Sequence, residues 1–320
     1  MPLPTVLKNL RLPLIGAPLF IVSNPALVIA QCRAGIVGAF PALNARKPGE
    51  LGQWLDQIEQ ARAQPLPAGT PYSVAPFAVN QIVHPSNPRL AQDIELCVKH
   101  KVPIMITSLQ SPKPVVDAAK TYGGLVFHDV ISIRHAEKAI EAGVDGLILV
   151  TSGAGGHAGS LNPFAFVEEI RKFYSGTVIL SGAMSRGQHI FAAQAMGADL
   201  AYMGTRFVAS TEAQAVPEYK QMIVDSTAQD ITGTSAFTGV FGNYLTGSIA
   251  RAGIDVKALA EADKTKMDFS KLQDSAGSKA WKDIWGAGQS VAGVDSILSA
   301  AEIVGQLEQE YQKVFQKMCQ

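Results

Sequence analysis

The seven residues Gly153-Ala154-Gly155-Gly156-His157-Ala158-Gly159 carry the clearest chemical potential in the chain. They follow the apolar run 146–150, which reads as a buried strand, and precede 163–173, which reads as a helix. A glycine-rich turn between strand and helix lets backbone N–H groups approach an anion, because glycine tolerates conformations that a β-carbon forbids. His157 at its centre adds a side chain that takes or gives a proton near neutral pH. An anion cradle beside an acid–base group is an active-site arrangement; the alternative is a tight connection with a surface histidine.

Two further turns extend the pattern. Ser181-Gly182-Ala183 closes one apolar run and Met203-Gly204-Thr205-Arg206-Phe207 closes another. Both are small-residue turns entering helices, where unpaired N–H groups could hold a phosphate dianion with the Thr205 hydroxyl beside it. Singly, each is an ordinary strand-to-helix turn; with the loop at 153–159, they point to a phosphate-bearing cofactor. Asn80-Gln81 ends a further run, and an amide there can donate to and accept from a planar heterocycle, or simply make a turn. His128-Asp129 is a candidate hydrogen-bonded acid–base pair, although alternation along a strand turns one of the two toward the helices. His84 and His100 read as solvated, and His135 and His189 as helix-start residues. No HExxH, paired His/Cys cluster, Walker A or GxSxG pattern occurs, so neither a metal site nor serine hydrolysis is expected.

These turns need elements to hold them. Eight apolar runs, at 12–17, 35–40, 73–80, 103–108, 124–128, 146–151, 177–181 and 200–204, alternate with helix-period segments such as 50–62, 89–100, 114–121, 135–142 and 188–196. Continuous apolar strands separated by helices mark a buried parallel sheet, and eight units predict a (β/α)8 TIM barrel of the α/β class. Barrels of this kind place their sites at the C-terminal strand ends and bind phosphate after strands seven and eight, where Gly182 and Gly204 fall. Glu141-Ala142-Gly143-Val144-Asp145-Gly146 and Ala195-Met196-Gly197-Ala198-Asp199 repeat one helix-ending theme, as a reused unit would.

The pattern changes after residue 225. We expect residues 1–225 to form the barrel, 226–290 a smaller, mostly helical cap on the substrate side, and 291–320 a C-terminal helix packing back on the barrel. Within the cap, Asp263-Lys264-Thr265-Lys266 is expected to be exposed. Lys+Arg 27 balances Asp+Glu 27, so no basic surplus points to nucleic acid. The N-terminus has no signal-peptide pattern, and no apolar run reaches membrane-spanning length. Three widely spaced cysteines fit a reduced, cytoplasmic compartment. The aromatic-rich cap is read as a lid or as the surface of a homodimer.

Taken in order, Gly16-Ala17-Pro18-Leu19-Phe20, Ala34-Gly35-Ile36-Val37-Gly38, Asn80, Gly155-Gly156-His157-Ala158-Gly159, Ser181-Gly182-Ala183, Met203-Gly204-Thr205-Arg206-Phe207 and Trp285-Gly286-Ala287-Gly288-Gln289 resemble the nitronate monooxygenase family, formerly the 2-nitropropane dioxygenases. The resemblance implies an FMN enzyme that oxidises alkyl nitronates, and neutral nitroalkanes, with O2. It places Ala17, Pro18 and Leu19 under the flavin ring, Asn80 at its edge, and His128 among the cofactor contacts. Gly155, Gly156, Ser181, Gly182, Ala183, Gly204 and Thr205 would surround the ribityl chain and phosphate. Gln289 would close the pocket, and His157 would be the catalytic base. Leu19-Phe20-Ile21-Val22 makes the ring pocket more apolar than is usual in the family, and Asp129 stands where the family often has Lys or a similar polar residue. Two other readings remain: an NAD(P)H-dependent FMN oxidoreductase acting on quinones or enoyl thioesters, and a non-flavin barrel binding a sugar phosphate.

Overall fold

The computed structural model describes residues 3–256 and 283–319. Its centre is a closed parallel barrel. The strands are β1 (Leu14–Gly16), β2 (Gly38–Pro41), β3 (Phe77–Val83), β4 (Ile104–Leu109), β5 (Leu125–Val130), β6 (Gly146–Val150), β8 (Thr177–Ser181) and β9 (Leu200–Met203). They pair in the order β1-β9-β8-β6-β5-β4-β3-β2, and a parallel bridge between Ile15 and Val37 closes the ring. All eight predicted runs are therefore barrel strands. Their ends shift where the backbone dictates: the run expected from residue 73 becomes a strand only at Phe77, after Pro76, which has no N–H to give a ladder.

Helices α1 (Pro25–Arg33), α2 (Glu50–Ala63), α3 (Leu90–Lys99), α4 (Lys113–Lys120), α5 (Ile133–Glu141), α6 (Pro163–Arg171) and α7 (Gly187–Ala195) cover the barrel. Alternation divides the strand residues into two sets. Ile104, Ile106, Phe127, Ile148, Ile179 and Leu200 fill the interior, while Met105 and Val126 pack outward with the α2–α4 side. Leu147, Leu149, Val178 and Leu180 pack outward with α6 and α7. This register decides which strand-end residues reach the C-terminal mouth.

The short helix α8 (Thr205–Val208) follows β9 directly, and α9 (Pro217–Asp225) follows it. Beyond 225, β10 (Ile231–Thr234) and β11 (Gly242–Leu245) form an antiparallel hairpin within the region expected to be a mostly helical cap. The hairpin pairs with β7 (Gly156–His157), so the glycine-rich loop is itself the edge of a three-stranded sheet. Short α10 (Thr246–Arg251) follows. Asp263–Lys266 and Trp281 lie outside the described residues. The closing helix α11 (Ala300–Met318) starts in a Ser299/Glu302 capping box and lies along α7. There Gly187 is required by closeness: a β-carbon would stand 2.1 Å from the Leu307 carbonyl oxygen. Among the described residues, no helix is long and apolar enough to cross a membrane.

Candidate active site

A cavity of about 460 Å³ opens at the C-terminal ends of the strands. The inward register supplies its floor: Ala17, Pro41, Asn80, Ser108, Asp129, Val150, Ser181 and Tyr202 all line it. Pro18, Leu19, Gly155, Gly156, His157, Gly182, Ala183, Gly204 and Thr205 complete the predicted residues found in the lining. The apolar wall is Leu19, Phe20, Ile21 and Val22, with Leu43, Leu109, Ile131 and Val240.

Two predicted contacts fall outside the lining. His128 belongs to the outward register: its Nδ1 lies 2.8 Å from the Thr107 hydroxyl, away from the cavity, and Asp129 takes the inward place. Gln289 is exposed; only its backbone serves the site, donating to the Gly153 carbonyl at 3.1 Å, and Ser290 reaches the lining instead. For His128 the difference is one strand position, which turns a side chain to the opposite face; Gln289 opens a 3-10 turn that points its side chain to solvent.

The glycines divide by function. Gly155 is wedged against another chain segment: its β-carbon would lie 2.6 Å from the Gly288 nitrogen. Reciprocally, a β-carbon on Gly288 would lie 2.4 Å from the Gly153 oxygen. The two glycine-rich motifs thus pack backbone on backbone. Gly182 adopts φ +125°, and a β-carbon there would stand 2.1 Å from the Thr151 hydroxyl. The next residue, Ala183, is also left-handed at φ +54°. Ile21 and Leu109 share this rarely occupied region at φ +58° and +82°, so three of the four non-glycine residues with positive φ among the described residues line the cavity. Such strain concentrates where surrounding structure over-determines a site. Asn44 holds the Ile21 turn, accepting from its N–H at 2.9 Å and donating to the Leu19 carbonyl at 2.9 Å.

Among the described residues, no protein acceptor meets the N–H of Gly182 or Thr205. The Thr205 hydroxyl accepts from Gly288 N–H at 3.0 Å, and its own proton remains for a ligand. These donors suit an anion. Across the cavity, the Asn80 amide donates to the Ser108 hydroxyl at 3.0 Å, and Ser108 donates to Asp129 Oδ2 at 2.6 Å. Burial pushes the Asp129 carboxyl up to about 7, against the lowering effect of the Ser108 bond.

His157 is half-buried on β7, whose partner Gly242 lies on β11. Its Nε2 is 3.2 Å from the Thr238 hydroxyl, and Thr238 gives its own hydrogen to the Val240 carbonyl at 3.0 Å. Thr238 thus ties the imidazole to the loop before β11. Desolvation pushes the imidazole down to about 4, so it is neutral across the working range. The loop is tied to the hairpin by Asn243, whose amide donates to the Ser152 and Ala154 carbonyls at 3.0 and 2.6 Å. Tyr219 stacks on Trp285 at 4.9 Å and donates to the Gly286 carbonyl, closing the far wall. Ser108, Tyr202, Thr238 and Ser290 were not singled out in the sequence. Alternation back from Gly204 would have found Tyr202, and Ser108 stands at the end of the predicted run 103–108.

A closed parallel barrel whose C-terminal mouth joins anion donors to a neutral, oriented histidine defines a (β/α)8-barrel enzyme. The chain belongs to the nitronate monooxygenase family, whose sequence pattern matches residues 5–310, and it is an oxidoreductase. A nitronate monooxygenase of Paraburkholderia phytofirmans is 29% identical over 96% of this chain and 94% of its own length. FabK from Thermotoga maritima superposes with a TM-score of 0.77 at 25% identity, covering 98% of this chain and 96% of its own. Nitroalkane oxidase from Streptomyces ansochromogenes shares the fold, with a TM-score of 0.80 at 20% identity over 98% and 100% of the two chains.

Proposed function

We propose that this chain holds FMN in the barrel mouth and uses O2 to oxidise alkyl nitronates, and neutral nitroalkanes, to a carbonyl compound and nitrite. The residues present suit that cofactor. Gly182 and Thr205 offer donors for a phosphate. Gly204 leaves room beside them, since a β-carbon there would meet only Leu19 and Ala17 side chains, at 3.2 and 3.6 Å. Ala17, Pro18 and Leu19 supply an apolar surface for a flat ring, and Asn80 a polar contact at its edge. FMN, when bound, supplies the electron transfer and oxygen chemistry of the reaction.

The protein's part is positioning and proton transfer. A nitroalkane is a carbon acid, and neutral His157, held in place through Thr238, can take its α-proton. The imidazolium then faces the negative charge gathered on the nitro oxygens, which offsets the desolvation that otherwise disfavours it. A nitronate arrives already deprotonated and skips this step. The observation that carries the reading is His157 itself, neutral, oriented and in the wall of the cavity.

His157→Asn tests it. Turnover of neutral nitroalkanes should fall by about 10²–10⁴-fold, the usual worth of a positioned general base. Turnover of pre-formed nitronates should fall far less, with flavin retained. Equal losses on both, with flavin intact, would make His157 a binding group. The apolar wall of Leu19, Phe20, Ile21 and Val22 supports a second reading, an NAD(P)H-dependent FMN oxidoreductase acting on quinones or enoyl thioesters. Rapid anaerobic NADH oxidation with a quinone, without turnover of nitronates, would select it.

A further inference from the structure

A second cavity, of about 20 Å³, lies between the barrel and its closing helix and shares no lining residue with the first. Arg186 after β8, Arg206 on α8, Asp295 and Ser296 before α11, and Glu310 on α11 all line it. Its size admits one small occupant, a water molecule or a single ion. Two cationic and two anionic side chains therefore stand around a space of molecular dimensions.

Three of the four are satisfied. Arg186 Nη1 donates to Glu310 Oε1 at 3.0 Å, and Nη2 donates to Asp295. Glu310 Oε2 accepts from the Gly187 N–H at 2.6 Å, so both oxygens of that carboxylate are engaged. Asp295 is exposed, where water screens its charge. Arg206 is the exception. It is 4% exposed, and among the described residues its guanidinium makes one bond, Nη1 to the Ser296 carbonyl at 3.2 Å, and no ion pair. Nε and Nη2 have no acceptor, yet neither is closed to a water-sized sphere. Burial, aided by the Arg186 charge, pushes the guanidinium down to about 10, against the pull of Asp295 and Glu310.

A buried cation without a counter-charge is costly. Water could accept the two free N–H groups but would leave the charge uncompensated. A small anion does both, and charge-assisted bonds of this kind are the strong ones. We propose that a chloride-sized anion binds in this cavity against Arg206, and so fastens α11 and the segment before it to the turns after β8 and β9. The site is independent of what the barrel mouth holds. Its volume rejects larger anions such as gluconate.

The test is a melting curve of the full chain as purified, exchanged into sodium gluconate and titrated with sodium chloride at constant ionic strength. Arg206→Met, titrated in parallel, reports the general effect of exchanging the salts. The difference in midpoint between the two proteins should widen with chloride, by about 2 °C once chloride exceeds its dissociation constant about tenfold, because an anion that binds only the folded chain stabilises it. Arg206→Lys keeps the charge but loses the planar fork, and should retain part of the response. If Arg206→Met folds poorly, crystals of the unmutated protein grown in sodium bromide carry the test. The anomalous signal of bromide should peak in the cavity, within hydrogen-bond reach of the Arg206 guanidinium. A midpoint difference that does not change with chloride, or a cavity holding water without halide, would overturn the proposal.

Discussion

The two flanks of the cavity are made of different material. After β8 and β9, the site is backbone: Gly182 and Thr205 present N–H groups, and Gly204 leaves open space beside them. After β3, β4 and β5, it is side chain: Asn80, Ser108 and Asp129 form a relay across three adjacent strands. A backbone flank tolerates little substitution, because its function is the path of the chain and the room beside it. A side-chain flank tolerates isosteric change and responds to pH. The difference teaches where charge recognition and proton control are separated in one pocket.

The largest expected effect breaks the backbone flank. Gly204→Asp places a carboxylate where we put the phosphate, and flavin affinity should drop by at least about 10³-fold while the barrel still folds. Gly204→Ala should retain flavin, since only the side chains of Leu19 and Ala17 must adjust. Flavin retained at full stoichiometry in Gly204→Asp would show that this turn does not hold the phosphate.

Next is Gly182→Ala. Its β-carbon would meet Thr151 at 2.1 Å in a left-handed backbone, so unfolding free energy should fall by about 1–3 kcal/mol in urea titrations. The same exchange at Gly156, at φ +66° but with nothing within 4 Å, should cost less. Equal costs would mean that conformation, and not crowding, sets the demand for glycine here.

On the side-chain side, Thr238→Val removes the hydroxyl that orients His157. Nitroalkane turnover should fall about tenfold, with nitronate turnover nearly unchanged. A loss shared by both substrates would locate the effect in the hairpin and not in the imidazole.

The smallest effect concerns His128, the buried histidine outside the cavity. Its pKa is pushed down to about 4 by burial, below the value of about 6.5 in an unfolded chain. Between those values the unfolded chain binds a proton that the fold refuses. Stability is therefore kept above pH 6.5 and lost as pH falls toward 4. His128→Gln should make this acid limb shallower, by up to about 1.4 kcal/mol per pH unit, and leave flavin affinity within about twofold. A large loss of flavin would return His128 to the cofactor contacts.

His128 and His157 show how far residue type carries. Burial holds both near 4; His128 ends the predicted run 124–128, and His157 follows the run 146–151. Their type and spacing made both candidates, yet only His157 lies in the lining. The strands were legible because apolar runs bounded by Gly and Pro have one economical arrangement, a buried parallel sheet. Gly182, Gly204 and Thr205 were legible because backbone function leaves a compositional trace. The hairpin at Ile231–Leu245 was not, because its Thr, Ser, Gly and Asn content reads as loop until β7 provides an edge to pair with.

By itself the sequence determined the barrel, the end of it that holds the site, and the histidine at that end. Local periodicity and glycine placement are sufficient for these. Tertiary structure decided the rest. Barrel register turned Asp129 and Tyr202 inward and His128 outward, a choice of one residue that no local pattern makes. Close approach of Gly155 to Gly288 showed that one glycine motif exists for the other. Pairing of β7 with β11 brought Thr238 to His157 across 81 positions of chain.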